Sequence, residues 1–237
     1  MSSTPYSPLD GTSHPYYPPN APIPFYAANT TPLLTILLSF ASLIAGFVVL
    51  CHVLVNYTNP NPRLLKSSDR AVISWFAICG FLHIFFEGYF VLNHKTIPPS
   101  QSLFAQLWKE YSLSDSRYLS ADPFMLWIET LTVLIWGPLS LLTIYFIATH
   151  QTALRHITQI VVCIAHLYGV ALYYGTCHYI ERYHGLQYSR PEWVYYWGYY
   201  AGMNAPWAVV PGLLLVQSVR EIRRVFEAAG VVGSAKK

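Results

Sequence analysis

The stretch Ala71–Leu92, AVISWFAICGFLHIFFEGYFVL, constrains this chain more than any other. At a rise of ~1.5 Å per residue, about 20 apolar residues cross the hydrocarbon of a bilayer as a helix. Yet His83 and Glu87 sit inside the stretch, four residues apart and so on one helix face. Ionisable groups at membrane depth cost at least ~2.5 kcal/mol each and turn inward, toward a partner, a cavity or a substrate. A fold for this sequence must give those two side chains an interior.

The balance of residues agrees. Of 237 residues only 11% are charged and 54% are hydrophobic, whereas a soluble domain carries roughly 25% charged residues. A net charge of +3 with no basic run offers no phosphate track, so no nucleic-acid partner is expected. Seven Trp, 19 Tyr and 12 Phe suffice for interfacial belts and for lining a pocket around a flat apolar ligand. Cys51, Cys79, Cys163 and Cys177 all fall in apolar segments without a CxxC. Buried free thiols are therefore expected, and no metal site.

Five membrane helices are predicted, an all-α fold. They run about 33–55, 71–92, 124–148, 157–179 and 193–219. Gly137-Pro138 should bend the third and free a backbone carbonyl. Ahead of them, residues 1–31 are rich in Pro, Ser, Thr and Tyr and lack Lys and Arg. They read as a loosely ordered tail and not as a cleavable signal peptide. Asn29-Thr30-Thr31 fits a glycosylation pattern but lies close to the first segment. Residues 32–227 form the membrane domain and 228–237 a short C-terminal tail. Of the 14 Lys and Arg residues, nine (Arg63, Lys66, Arg70, Arg155, Arg220, Arg223, Arg224, Lys236 and Lys237) fall on one side if the chain crosses five times. That bias predicts a lumenal N-terminus and a cytosolic C-terminus.

Polar groups recur inside the segments. Trp75, Cys79, His83 and Glu87 repeat every fourth residue on the second; Glu129, Thr132 and Trp136 line one side of the third. Asn204 and Trp207 stand three apart on the fifth, with Tyr199 and Tyr200 just before. Interhelical hydrogen bonding accounts for a lone Thr132 or Asn204. It does not account for His83, Glu87 and Glu129 together. His166 reads as a satisfied core histidine, and His178 as interfacial. No P-loop, HExxH or GxSxG motif is present. A carboxylic acid in an apolar pocket can hold its proton near neutral pH and act as a general acid beside a base. Indole rings stabilise a neighbouring cation. Such a set can protonate an apolar substrate, hold a carbocation and remove a different proton. Double-bond migration in a membrane-dissolved polycycle needs that and no cofactor.

Four blocks in order, CGFLHIFFEGYFVL, QLWKEYSLSDSRY, IETLTVLIWGPLSLL and MNAPWAVVPG, resemble the emopamil-binding protein family, the sterol Δ8–Δ7 isomerases with the EXPERA membrane domain. The likeness extends from the second segment to the fifth; the tail and first segment match poorly. It implies a five-helix, multi-pass enzyme of the endoplasmic reticulum in sterol biosynthesis, with a sterol substrate, membrane lipid around it, and cationic amphiphilic amines as inhibitors. A homodimer is among the assemblies it permits. It implies catalytic roles for His83, Glu87 and Glu129, and substrate-binding or cation-stabilising roles for Trp207, Asn204, Thr132 and Tyr111. In the implied scheme a proton goes to C9, a tertiary cation forms at C8 beside Trp207, and the C7 proton leaves. Glu129 stands near the cation, His83–Glu87 form the relay, and Asn204 and Thr132 orient the carboxyls. Two departures stand out. Pro206 precedes Trp207 where the family pattern has an apolar residue, and the terminal AKK is a poor dilysine signal. Alternatives are a non-catalytic sterol- or amine-binding member of the superfamily, an isomerase of a steroid-like or terpenoid specialised metabolite, and a transport role, which lacks repeated architecture.

Overall fold

A computed structural model describes residues 13–230. Among them the regular structure is helical, with no strand. Four helices are long and apolar enough to cross a membrane: α1 (Leu33–Thr58), α2 (Ser67–Asn93), α4 (Pro123–Ala148) and α5 (Thr152–His184). A short α3 (Leu103–Tyr111) lies in the loop between α2 and α4. The fifth expected segment is divided. A wide π-type α6 (Val194–Gly202) is followed by α7 (Pro206–Ala228), whose far end carries Arg220, Glu221, Arg223 and Arg224. The expected C-terminal tail is helical to Ala228, and residues 231–237 lie outside the described residues.

α1 is apolar all round and almost none of it is buried. Leu34, Leu38, Val49, Leu50, Val53 and Leu54 face outward. A helix greasy on every side and unburied is a lipid-facing helix, so the chain is an integral membrane protein. Two packed clusters fill the interior. One, around Val55, Val72, Phe76, Ile144 and Val162, joins α1, α2, α4 and α5. The other, around Phe90, Trp108, Tyr118, Met125, Tyr173 and Tyr200, lies toward the α3 loop. Polar pairs bind the helices between them: Thr143 Oγ1 donates to Thr158 Oγ1 at 2.9 Å, and Gln159 Nε2 donates to Ser218 Oγ at 2.8 Å.

Residues 13–31 are not the loose tail expected. Tyr16, Ala21 and Ile23 are buried in the second cluster. Tyr16 Oη donates to Lys109 O (3.0 Å), Lys109 Nζ to Ala27 O (2.8 Å), and Asn29 Nδ2 to Gln106 O (2.9 Å). The segment has no hydrophobic period of its own; it is ordered by aromatic anchors and by main-chain groups of α3. Residues 1–12 of that tail lie outside the described residues.

Glycines let α2 and α4 approach closely. A Cβ on Gly80 would meet Leu141 Cδ2 at 2.6 Å, and one on Gly137 would meet Ile84 Cγ1 at 2.7 Å. Each of α2 and α4 also widens into a π turn, at Leu82–Glu87 and at Thr132–Trp136. The second has a local cause. Pro138 cannot donate and its ring crowds the carbonyl four residues back, so the preceding turn loosens and Gly137 N–H bonds Thr132 O instead. At α6 a Cβ on Gly202 would lie 2.9 Å from Trp197 O, five residues back, so glycine admits the wide turn there.

Candidate active site

The three wide turns coincide with the polar residues singled out by the sequence. His83 and Glu87 lie on the first, Thr132 opens the second with Glu129 just ahead of it, and Asn204 follows the third. Wide turns of this kind recur at functional sites because they re-aim side chains within a continuous helix.

His83 (3% exposed) and Glu129 (8%) are buried, and Glu87 is nearly so. His83 Nδ1 meets Glu87 Oε2 at 2.7 Å. On α4, Thr132 Oγ1 lies 2.6 Å from the same Glu87 Oε2, 2.7 Å from Glu129 O and 3.3 Å from Glu129 Oε2. One hydroxyl thus ties two carboxyl groups from two helices, Glu87 of α2 and Glu129 of α4. The other Glu129 oxygen, Oε1, accepts from Tyr118 Oη at 2.9 Å. In this low-dielectric setting a bond to a charged oxygen is worth more than a neutral one.

The remaining expected residues divide. Tyr111 packs its ring against Tyr118 at 5.5 Å. Asn204 does not hold a carboxyl. Its Nδ2 donates to Tyr111 Oη (3.1 Å) and Tyr200 O (2.8 Å), which uses both amide hydrogens. It fixes the phenol of Tyr111, and the hydroxyl that touches both carboxyls is that of Thr132. Trp207 leans on Trp75 of α2 with ring centroids 5.4 Å apart. Pro206 is the first residue of α7, where a missing N–H costs nothing. His83, Glu87, Thr132 and Glu129 are therefore joined directly. Tyr111 and Asn204 attach through aromatic contact with Tyr118, and Trp207 approaches α2 separately.

Two participants escaped the sequence reading. Tyr118 stood in the SDSRY block with nothing to single it out. His166 is the buried, hydrogen-bonded core histidine expected, but its partner was not foreseen: its Nε2 lies 3.0 Å from His83 Nε2. Cys79 Sγ joins these two histidines within 4.8 Å, a donor set of the soft-metal type. The two ring nitrogens face each other at hydrogen-bond distance.

Outside the spans, an ion pair braces the loop. Arg117 Nη2 donates to Asp115 Oδ2 at 2.6 Å with both side chains buried, and the guanidinium lies 5.2 Å from the Tyr173 ring centroid. Asp115 also accepts from Arg117 N, so its charge is fully engaged. This brace holds Tyr118, the next residue, against Glu129.

Fold and site together define a class: a helical membrane protein that buries a hydroxyl-bridged pair of carboxyl groups and an imidazole among aromatic rings. Residues 103–218 match the family model EBP, described as EXPERA (EXPanded EBP superfamily). That span holds Tyr111, Tyr118, Glu129, Thr132, His166, Asn204 and Trp207, while His83 and Glu87 precede it. The chain is 35% identical over 211 residues to a 3-beta-hydroxysteroid-Delta(8),Delta(7)-isomerase of Mus musculus, covering 88% of each. It is 35% identical to the Cavia porcellus protein of the same name, covering 93% and 92%. An isomeliandiol synthase of Melia azedarach is also 35% identical, over 66% of this chain and 71% of its own. The chain belongs to the EXPERA family.

Proposed function

We propose that the protein is a sterol Δ8–Δ7 isomerase, moving a ring double bond by adding a proton at C9 and removing one at C7. The observation that carries this reading is the Thr132 bridge between Glu87 and Glu129. Two carboxylates so close repel one another, and a shared proton removes the repulsion. The pair therefore stores the proton that the first step requires. Glu129 has Tyr118 and Thr132 as neighbours and serves as the acid near C9. Glu87, which faces the His83 ring, serves on the side that takes the C7 proton. The proton count closes, since C9 gains the hydrogen ion that C7 returns. Trp207 faces the intermediate cation at C8, where an indole face in a dry site contributes ~2 kcal/mol or more. Tyr111, held by Asn204, and Thr132 line the substrate.

The membrane arrangement belongs to the same proposal. α6 and α7 together make a fifth crossing, with the N-terminus lumenal, the C-terminus cytosolic, and the protein resident in the endoplasmic reticulum. Residues 32–227 then form the catalytic domain. Cationic amphiphilic amines inhibit by imitating the carbocation.

The test is conversion of an 8-ene sterol to the 7-ene by the purified full chain. Wild type turns over, and Glu87→Gln and Glu129→Gln each lose at least about 100-fold in kcat, a general acid–base contribution. Undiminished turnover by both variants refutes the scheme. A steroid-like or terpenoid substrate is a second reading, favoured by the likeness to the isomeliandiol synthase. Wild-type inactivity on the sterol, with double-bond migration in a terpenoid polycycle, would select it.

A further inference from the structure

His166 sits on α5, one helix away from the carboxyl pair, and is 5% exposed. Its Nε2 lies 3.0 Å from His83 Nε2, and its Nδ1 is buried without a hydrogen-bond partner. The other His83 nitrogen, Nδ1, is 2.7 Å from Glu87 Oε2. A neutral imidazole carries one N–H, and which nitrogen holds it is set by what the other one meets.

We infer that His166 is a positioning residue that sets the tautomer of His83 and thereby the direction in which the whole hydrogen-bond chain points. The orphaned Nδ1 decides the direction. An N–H left unpaired in an apolar interior costs more than a bare ring lone pair. His166 therefore keeps its hydrogen on Nε2 and donates it to His83 Nε2. His83 then holds its own hydrogen on Nδ1 and donates it to Glu87 Oε2. Thr132 Oγ1 donates to the same oxygen at 2.6 Å. Glu87 accepts from both sides and is the ionised partner, the base. The stored proton stands on Glu129, whose Oε1 accepts from Tyr118. The acid and base roles, which two similar carboxyls leave undecided, are thus assigned from α5.

The inference rests on the isomerase reading for its kinetic consequence but not for its tautomer. Without a donor at position 166, the His83 hydrogen is free to move to Nε2, and Glu87 must then be protonated to donate to Nδ1. His166→Leu removes the donor. His166→Gln keeps an N–H on a side chain that can reach toward Nε2.

The experiment compares wild type, His166→Leu and His166→Gln as full-length purified protein, with amine binding as the check of folding. Two readouts are taken. The first is kcat and KM for double-bond migration across pH. His166→Leu is expected to lose about tenfold in kcat, to keep KM within about twofold and to shift the pH profile, and His166→Gln to restore both. The second is nitrogen NMR of histidine-labelled protein, with the His83 signals assigned by their loss in His83→Gln. The hydrogen is expected on Nδ1 in wild type and in His166→Gln, and redistributed in His166→Leu. A wild-type His83 protonated on Nε2, or an unchanged tautomer and unchanged pH profile in His166→Leu, overturns the inference. If wild type fails to isomerise a sterol while the tautomer behaves as stated, the substrate reading fails and the positioning role stands.

Discussion

Gly137→Ala places a single methyl at the crossing of α2 and α4. The added Cβ would lie 2.7 Å from Ile84 Cγ1 and 3.2 Å from His83 Cβ. Ordinary carbon–carbon contact is ~3.5–4.0 Å. The deficit is thus about 1 Å against Ile84, whose side chain can turn aside, and a few tenths of an ångström against His83, whose Cβ is fixed to the backbone. α2 must move away from α4 by roughly half an ångström. The bond at risk is Thr132 Oγ1 to Glu87 Oε2, now 2.6 Å, because its two ends ride on the two helices. Overpacking of this sort costs ~1–3 kcal/mol in stability. A 1 Å misplacement of reacting groups costs about 100-fold in rate, so half of that predicts about tenfold in kcat. Gly80→Ala is the control. Its Cβ would meet the flexible end of Leu141 at 2.6 Å, at the same crossing but without touching His83. It should destabilise with a smaller loss of kcat. Thermal denaturation and isomerase kinetics on both variants decide the matter. Gly137→Ala with wild-type Tm and kcat, or the reverse order of kcat losses, would refute the reasoning.

Three further outcomes are expected. Thr132→Val keeps the shape but removes a hydroxyl bonded to a charged oxygen, worth ~1.5–3 kcal/mol, so Tm should fall and kcat should drop roughly 10- to 150-fold. Tyr118→Phe leaves Glu129 Oε1 without its donor and should lower kcat about fivefold, while Tyr111→Phe, which lacks a carboxyl contact, should act mainly on KM. Burial pushes the Lys109 ammonium down, to about 8. The unfolded chain then binds more protons than the fold between about 8 and the unperturbed ~10.4, so Lys109 makes stability climb as pH rises through that window. Subtracting the thermal-denaturation profile of Lys109→Met from that of wild type should reveal the slope, and a flat difference would contradict it.

The sequence made the apolar segments plain, because lipid demands long uninterrupted runs and the chain supplies them at 33–58, 67–93, 123–148 and 152–184. It also made the ionisable residues plain, since His83, Glu87 and Glu129 have no cheap place in such runs. Geometry across helices was hidden. The fourfold spacing did bring Cys79, His83 and Glu87 together on α2, but it could not show that this turn widens at Leu82–Glu87. His166 carries no local mark of its meeting with His83, which comes from the packing of α5 alone. Asn204 looked suited to a carboxyl and instead serves the phenol of Tyr111, a partner on the α3 loop that spacing along one helix cannot show. The segment before α1 was misread for a related reason. Its order is borrowed from main-chain partners far along the chain, which composition cannot reveal.

That borrowed order bears on how the molecule is made. Residues 14–31 emerge from the ribosome ahead of α1, yet their partners at Gln101, Gln106, Lys109 and Ser116 are synthesised 71 to 99 positions later. The strap must wait, undocked, while two helices insert, and it clicks into place only when the loop behind them arrives. On that face, a piece translated before α1 docks only after the loop that follows α2 has been made.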